Sequence, residues 1–593
     1  MLFRWQLGRR GEAGADAAAE GLSRDLRLTP LVARLLCQRG LHDPAKVRPF
    51  LDPKLTDLHD PALMPGLDRA ARRIDQAVRQ KQPIVVYGDY DVDGVCASAI
   101  LWHVLKLAGA DVSAYIPHRV EEGYGLNTDA LLQLGKNAGG PSPLIVSVDC
   151  GITAITPAQA AADAGIELII TDHHEFDPAQ LPRACALVHP RLHGAGADAS
   201  LSAYPFPDLC GAGVAFKLAW HFARVHTGSD RVPKEFRELL LDLISFAALA
   251  TVADIVPLVS ENRVIVRFGL GQIKRTRFIG LKALIDSAKL REEKIDAFHV
   301  GFVLGPRLNA AGRMGHAGEA LKLLTSAGPD EAKQLAAALT DANDDRRATE
   351  HQIADEARRM VLDMGFDRAD CRALVLGSEG WHPGVIGIVA SRIVEQFHRP
   401  TILLNFENGE AHGSCRSVPG ISIHEGLHAC AKHLNSYGGH AMAAGVRLDR
   451  AKVDAFRADF VAWANAAIAE ENLSPVLMID AHCALPEVTL EMIDQVQALA
   501  PFGRDNPQPV LCVRNVQLAE PARRIGSEGK HLRLMLRHER TLVQAVGWRI
   551  GDLAEKLPGG VRVDVAFEPK ASTWEGRRRA DLHVKDVRLA EED

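Results

Sequence analysis

The segment Gly88-Asp89-Tyr90-Asp91-Val92-Asp93-Gly94 sets three carboxylates at alternate positions. D-x-D-x-D-G also opens an EF-hand calcium loop, but the twelfth position counted from Asp89 is Ile100, where that loop needs a bidentate Glu. The residues just before, Ile84-Val85-Val86-Tyr87, read as a strand and not as the incoming helix of an EF-hand. A plain surface turn is the competing reading of this segment taken alone. On an extended backbone, residues two apart face the same way, so Asp91 and Asp93 are expected to present their carboxylates to one pocket. Asp149, Asp172 and the His173-His174 pair follow two further apolar runs. Each like-charge pair at about 4 Å costs on the order of 4 kcal/mol at an effective dielectric near 20. Such a gathering calls for divalent cations, and carboxylates with imidazole and no thiolate suit manganese, with magnesium as the harder substitute.

The elements that must position these groups follow a simple pattern. Ile84–Tyr87 stops before Asp89, Leu144-Ile145-Val146 before Asp149, and Leu168-Ile169-Ile170 before Asp172, with Ala- and Leu-rich stretches of helical period between them. Strands alternating with helices predict a wound parallel sheet, which binds ligands beyond the carboxyl ends of its strands. At 593 residues the chain exceeds one hydrophobic core and predicts three or four domains. Residues 1–80 read as short helices punctuated by Pro53, Pro61 and Pro65, ending in the amphipathic run Leu67–Val78. The first α/β core spans 81–329, a long helix over 330–365 joins it to a second α/β core at 366–471, and 472–593 completes the chain. In that last part Leu532, Leu534 and Leu536 alternate with Arg533 and Arg537. With runs near Val510, Val543, Val561 and Leu582, about five strands predict a small barrel of the oligonucleotide-binding (OB) type.

Composition narrows the class. With 47% apolar and 24% charged residues the chain is globular, which excludes disordered and fibrous proteins. A formal net charge of -6 argues against a uniformly basic coat and leaves room for a local basic groove. Ten cysteines without a CxxC pair exclude a zinc ribbon and a dense disulfide framework and point to a reducing cytoplasm. No signal peptide is predicted at MLFRWQLGRR. The apolar stretch Leu239 to Val259 contains Asp242 and Asp254, so it predicts a buried helix and no membrane span.

YGDYDVDG, VDCGIT, TDHHE and ATVADIVPL resemble the successive motifs of the DHH phosphoesterase superfamily. GPRLNAAGRMG, WHPGVIGIVASR, GSCRSVPG and YGGHAMAAG resemble those of its RecJ branch, single-strand-specific 5′ to 3′ exonucleases. The resemblance runs in order from about residue 30 to the C-terminus. It implies a DHH catalytic domain, a DHH-associated substrate-binding domain and an OB-fold domain. The catalytic set it implies is Asp89, Asp91, Asp93, Asp149, His173, His174 and Asp254. Of these, Asp91, Asp93, Asp149, His173 and Asp254 are implied metal ligands, with Asp149 bridging two manganese ions, while Asp89 and His174 stand behind them or face substrate. His174 is the candidate to touch the scissile phosphate. Adjacent histidines at a strand end are expected to point apart. Asp172 reads equally as a ligand or as a cap on the following turn. Asp254 ends FAALATVAD, where an unpaired carboxylate is costly.

In GSCRS, Gly413 permits close backbone approach, Ser414 and Ser417 donate hydrogen bonds, and Arg416 suits bidentate contact with phosphate. Gly439 and His440 add a second corner, and the resemblance places both in a groove facing the metals. Arg307, Asn309 and Arg313 read as contacts to the strand backbone, against a reading as solvated loop caps. Trp381 is expected to pack. Cys150, Cys210, His189 and Cys415 depart from the branch's pattern, and a thiol beside Asp149 suggests sensitivity to oxidation.

The expected function is a manganese-dependent 5′ to 3′ exonuclease on single-stranded DNA, releasing 5′ mononucleotides by two-metal hydrolysis in recombination and repair. Neither Gly135-Lys136 nor Gly529-Lys530 has P-loop spacing, so strand opening is expected from a helicase partner, with a single-strand-binding protein as a second partner. The chain is expected to be a monomer. Arg523-Arg524, Lys530 and Arg577-Arg578-Arg579, with Trp574 for stacking, read as a strand-binding face or simply a solvated one. A small-substrate DHH phosphoesterase is the alternative enzyme, and the N-terminal cap and barrel speak against it. A non-catalytic DNA-binding scaffold is the third reading, and the intact set of acids speaks against that.

Overall fold

The computed structural model describes residues 3–8, 15–118, 122–136, 141–192, 203–315, 317–574 and 576–590. They form two units, one of Gly11–Asn343 with Asp494–Gln508, the other of Met1–Arg10, Asp344–Ile493 and Pro509–Asp593.

In the first unit the apolar runs are strands of a five-stranded parallel sheet. Its order is Val112–Tyr115, Ile84–Tyr87, Leu144–Val148, Leu168–Thr171, Ala186–Val188. The three central strands are buried at every residue, which is why they carry no polar alternation. They are neighbours in the sheet, so the chain leaves their aligned carboxyl ends at Asp89, Asp149 and Asp172. The two edge strands have no clear sequence signature, being short and partly exposed at Val112–Tyr115 and only three residues long at Ala186–Val188. The helices Val92–Leu107, Gly211–Thr227 and Lys234–Ala253 share one core with the sheet. Phe246, Ala247, Ala248, Leu249 and Ala250 are wholly buried, as the reading of 239–259 as a buried helix requires. Among the described residues no helix is long and apolar enough to cross a membrane.

Two stretches group with parts of the chain far from them in sequence. Residues 494–508 pack in the first unit, where the buried Arg263 donates to the carbonyls of Ala498, Leu499 and Ala500. Near the N-terminus Arg4–Leu7 is a strand, parallel to Val476–Ile479 in the second unit. Trp5 Nε1 donates to Asp586 there. A four-residue run cannot announce a pairing so distant in sequence.

A 35-residue helix, Pro329–Asp363, belongs to the first unit through Asn343 and to the second from Asp344. The second unit holds a mixed sheet in the order Ser436–Gly439, Ala443–Asp449, Glu410–Arg416, Thr401–Glu407, Leu374–Glu379, of which only the last pair is parallel. The C-terminal sheet contains the five expected strands and two short ones, Ala481–His482 and Arg523–Ile525. Leu511–Leu518 pairs with both Arg562–Trp574 and His531–His538, which curls the sheet into a barrel. Leu532, Leu534 and Leu536 point inward and Arg537 outward, as the alternation predicts.

Candidate metal centre

Asp91 and Asp93 meet the same centre by a route other than the expected extended backbone. Asp91 is the N-cap of Val92–Leu107, its Oδ1 accepting the N–H groups of Asp93 at 2.8 Å and Gly94 at 3.1 Å. Asp93 therefore lies in the first helical turn. Gly94 makes the sharp strand-to-helix turn possible, since a Cβ there would stand 2.4 Å from the Asp89 carbonyl oxygen. The Asp93 carboxylate is buried and accepts the N–H groups of Gly211 and Ala212 at 2.7 Å each. These open the helix Gly211–Thr227, whose positive dipole end suits an anion. Gly211 has no room for a side chain, because a Cβ would reach within 2.5 Å of the Asp149 carboxylate.

Asp149 follows Leu144–Val148 with φ 61, a left-handed conformation that aspartate tolerates better than most side chains and that turns the chain sharply at the strand end. Asp254 caps the C-terminus of Lys234–Ala253, the negative end of that helix, where a carboxylate is disfavoured without a cation. His173 faces all of them: its Nε2 lies 3.1 Å from Asp149, 3.6 Å from Asp93 and 3.7 Å from Asp254. Three donor groups result, Asp149/His173/His174, Asp93/His173/Asp254 and Asp89/Asp91/Asp149, the ligand atoms within each lying within 4.8 Å of one another. Asp149 and His173 each belong to two groups.

The electrostatics of this cluster are unbalanced. Burial, reinforced by neighbouring carboxylates, pushes Asp91 up and Asp149 well up from the usual carboxylate range. Burial together with Asp93 and Asp91 raises Asp254 to about 8. Burial, only partly offset by Asp93, holds His173 below its usual range, as a neutral imidazole suited to ligation. Among the described residues, Asp149 Oδ1 and His173 Nε2 are buried and make no hydrogen bond. Buried polar atoms are seldom left so. An oxygen-and-imidazole donor set of this charge fits manganese or magnesium.

Asp172 stands behind this cluster. It accepts the N–H groups of Ile152, His173 and His174 and lies 2.7 Å from His174 Nδ1. Burial would raise it, yet His174 and these donors bring it down to about 2. His174 is raised to about 9 against its burial, by the hydrogen bond and charge of Asp172. Tyr124, which the sequence reading missed, places its hydroxyl 2.9 Å from His174 Nε2. The expectation that the two histidines point apart is corrected. Their ring centroids are 4.4 Å apart, because the strand ends at Thr171 and its alternation stops there.

Arg307, Asn309 and Arg313 lie on the helix Gly305–Met314 and not in a loop. Asn309 Oδ1 accepts the N–H of Val92 at 3.0 Å, so it caps the motif helix instead of reaching toward a strand backbone. Gly312 packs under Tyr90, whose carbonyl oxygen a Cβ would approach to 2.8 Å. Arg307 donates to the Val303 carbonyl at 2.7 Å and to Thr340 Oγ1 at 3.3 Å. Arg313 is half-buried on the same helix.

In the second unit a cavity of about 400 Å³ is lined by His412, Ser414, Tyr437, Gly438, Arg447 and Pro383. Arg416 and Ser414 sit against the helix Pro383–Phe397, where a Cβ at Gly387 would come within 3.1 Å and 3.3 Å of them. Ser417 is corrected: it is buried, and its hydroxyl donates to the Ile421 carbonyl. Gly439, at φ 136, and His440, whose N–H donates to Ala443, form the adjoining turn. Trp381 packs as expected, its Nε1 donating to Glu356. Cys150 and Cys415 are buried, and burial pushes the first thiol well up and the second to about 12, which opposes the expected oxidation sensitivity. The Trp574 side chain lies outside the described residues.

The DHH family, N-terminal domain, matches residues 83–247, the DHHA1 domain 370–466 and the RecJ OB domain 479–586. The chain is 39% identical to the single-stranded-DNA-specific exonuclease RecJ of Bacillus subtilis over 99% of this chain and 71% of that one. It is 36% identical to the exonuclease of the same name from Thermus thermophilus, over 91% of this chain and 73% of that one. The crystal structure of Thermus thermophilus RecJ in complex with Mn2+ matches with a TM-score of 0.81 at 32% identity, covering 100% of this chain and 80% of that one. The Mg2+ complex matches at 0.75 and 31% identity, over 100% and 79%. Likeness of this extent, running through both units, shows that the chain belongs to the RecJ family of single-stranded-DNA-specific exonucleases.

Proposed function

We propose that this protein degrades single-stranded DNA from the 5′ end, releasing 5′ mononucleotides, with two cations held by Asp91, Asp93, Asp149, His173 and Asp254 and manganese preferred to magnesium. The observation that carries the reading is the sharing of Asp149 and His173 between overlapping donor groups, their facing atoms buried without hydrogen bonds. When bound, the ions supply an acidified water and positive charge for phosphodiester hydrolysis. The chain's own groups do the rest. Asp93 is held rigidly by Gly211 and Ala212, and Asp91 by the helix it caps. His174, oriented by Asp172 and kept protonated near neutral pH, offers an N–H to a phosphate oxygen. Water oxygen bonds to phosphorus as the P–O3′ bond breaks, and O3′ of the terminal nucleotide leaves with a proton. The remaining strand keeps a 5′ phosphate.

Recognition of that phosphate is assigned to Ser414, Arg416, Gly439 and His440, supported by the cavity that Ser414 and Gly438 line. Arg307 and Arg313 are assigned to strand contacts, while Asn309 acts by positioning Val92. The protein works as a monomer in recombination and repair, on strands opened by a helicase and presented by a single-strand-binding protein. The test is degradation of end-labelled single strands with manganese, magnesium or chelator. Mononucleotides released from the 5′ end, and none in chelator, are expected. Release from the 3′ end, or undiminished release in chelator, overturns the reading.

A further inference from the structure

The loop Pro501-Phe502-Gly503-Arg504-Asp505-Asn506-Pro507 comes from the C-terminal part of the chain yet is anchored in the first unit. Its backbone is fixed on every side. Asn506 is buried and donates to the carbonyls of Leu499 at 2.9 Å and Pro501 at 2.8 Å, while its Oδ1 accepts from Arg39 at 3.3 Å. Gly503 and Asn506 exchange backbone hydrogen bonds of 3.0 and 3.2 Å. A Cβ at Gly503 would stand 2.7 Å from the Leu258 side chain, so glycine lets the loop pack closely against it. The Arg504 carbonyl accepts the Leu258 N–H at 2.8 Å, and its Nη1 lies 3.5 Å from the carbonyl oxygen of Ile255, the residue after Asp254. The folding thus delivers an arginine to the carboxylate centre from far along the chain.

The guanidinium is exposed, and among the described residues no carboxylate lies within ion-pair reach of it. An acid-rich centre repels a polyanion, and a cation fixed at its rim offsets that repulsion. The planar fork of arginine matches two phosphate oxygens at once. We infer that Arg504 is a catalytic residue, gripping the substrate phosphate beside Asp254. This rests on the nuclease reading above.

The test compares wild type, R504A and R504K on 5′-phosphorylated single strands with manganese. R504A should lose on the order of 10²-fold in kcat/KM, the usual cost of one preorganised donor to developing charge. R504K, a point charge without the fork, should recover part of that loss. For R504A the slope of log kcat/KM against log salt should become shallower by about 0.7, one phosphate contact on a single strand. Both variants should keep the wild-type thermal shift on adding manganese, a readout that a merely structural role would move. Three outcomes overturn the inference: R504A within about twofold of wild type, an unchanged salt slope, or a manganese shift lost in both variants. Wild-type protein that leaves single strands intact would overturn the nuclease reading itself.

Discussion

Two buried charged clusters lie in the same unit, and they differ in what the fold does with the charge. Lys217 and Glu261 have no exposed side-chain surface and pair directly. Glu261 also accepts the His59 N–H and the Tyr204 hydroxyl, each at 2.7 Å, and Lys217 donates to the His59 carbonyl. Charge and hydrogen bonds close on themselves there. At Asp89, Asp91, Asp93, Asp149 and Asp254 the acids outnumber the nearby cations, and buried atoms of Asp149 and His173 lack hydrogen bonds. Burial of charge is common to both clusters, so burial alone does not mark a site. An excess of one sign does, because only a ligand can complete it.

Exchanging the roles of the two clusters should fail in opposite ways. Asp149→Ala is expected to lower manganese-dependent nuclease activity by about 10³-fold or more while leaving the fold intact, since it removes the shared ligand and a buried like charge. Rate measurements and thermal melts check this. Lys217→Met should cost about 3–5 kcal/mol of stability, because it strands the Glu261 carboxylate. Lys217→Met combined with Glu261→Leu should return only part of that, because the His59 N–H and the Tyr204 hydroxyl lose their acceptor, and urea titration reads both. Asp172→Asn, which loosens His174, should cost about 10- to 100-fold in rate.

Metal-free protein should also show the imbalance through pH. Asp91, Asp149 and Asp254 are raised on folding, Asp254 from 3.8 to about 8. The folded state then binds more protons than the unfolded state between those values. Stability in chelator should therefore be fullest below about pH 4 as far as these groups are concerned, and fall as pH climbs toward 8. Saturating manganese should remove that decline, the smallest effect of the set, followed by melting temperature against pH.

Much of the centre was legible because buried parallel strands are continuous apolar runs, and an acid at the end of each is conspicuous. Asp254 was legible for the same reason, at the end of the largely apolar run Leu243–Ala253. The local conformation of Asp91-Val92-Asp93 was not, since the same letters serve an extended pair or a capped helix, and Gly94 decided for the helix through its contact with Asp89. Asn309, the N–H groups of Gly211 and Ala212, and the 494–508 loop were hidden for another reason. Each acts on residues more than a hundred positions away, and no local periodicity records such contacts. The strand Arg4–Leu7 was hidden likewise, its partner Val476–Ile479 lying in a distant part of the sequence.

The central claim is tested most directly by diffraction at the manganese absorption edge from crystals soaked in Mn2+. Two anomalous peaks are predicted, both against Asp149 and together touching Asp91, Asp93, His173 and Asp254, with the pair lost in Asp149→Ala. No peak in the cluster, or peaks that persist unchanged in that variant, would contradict the account.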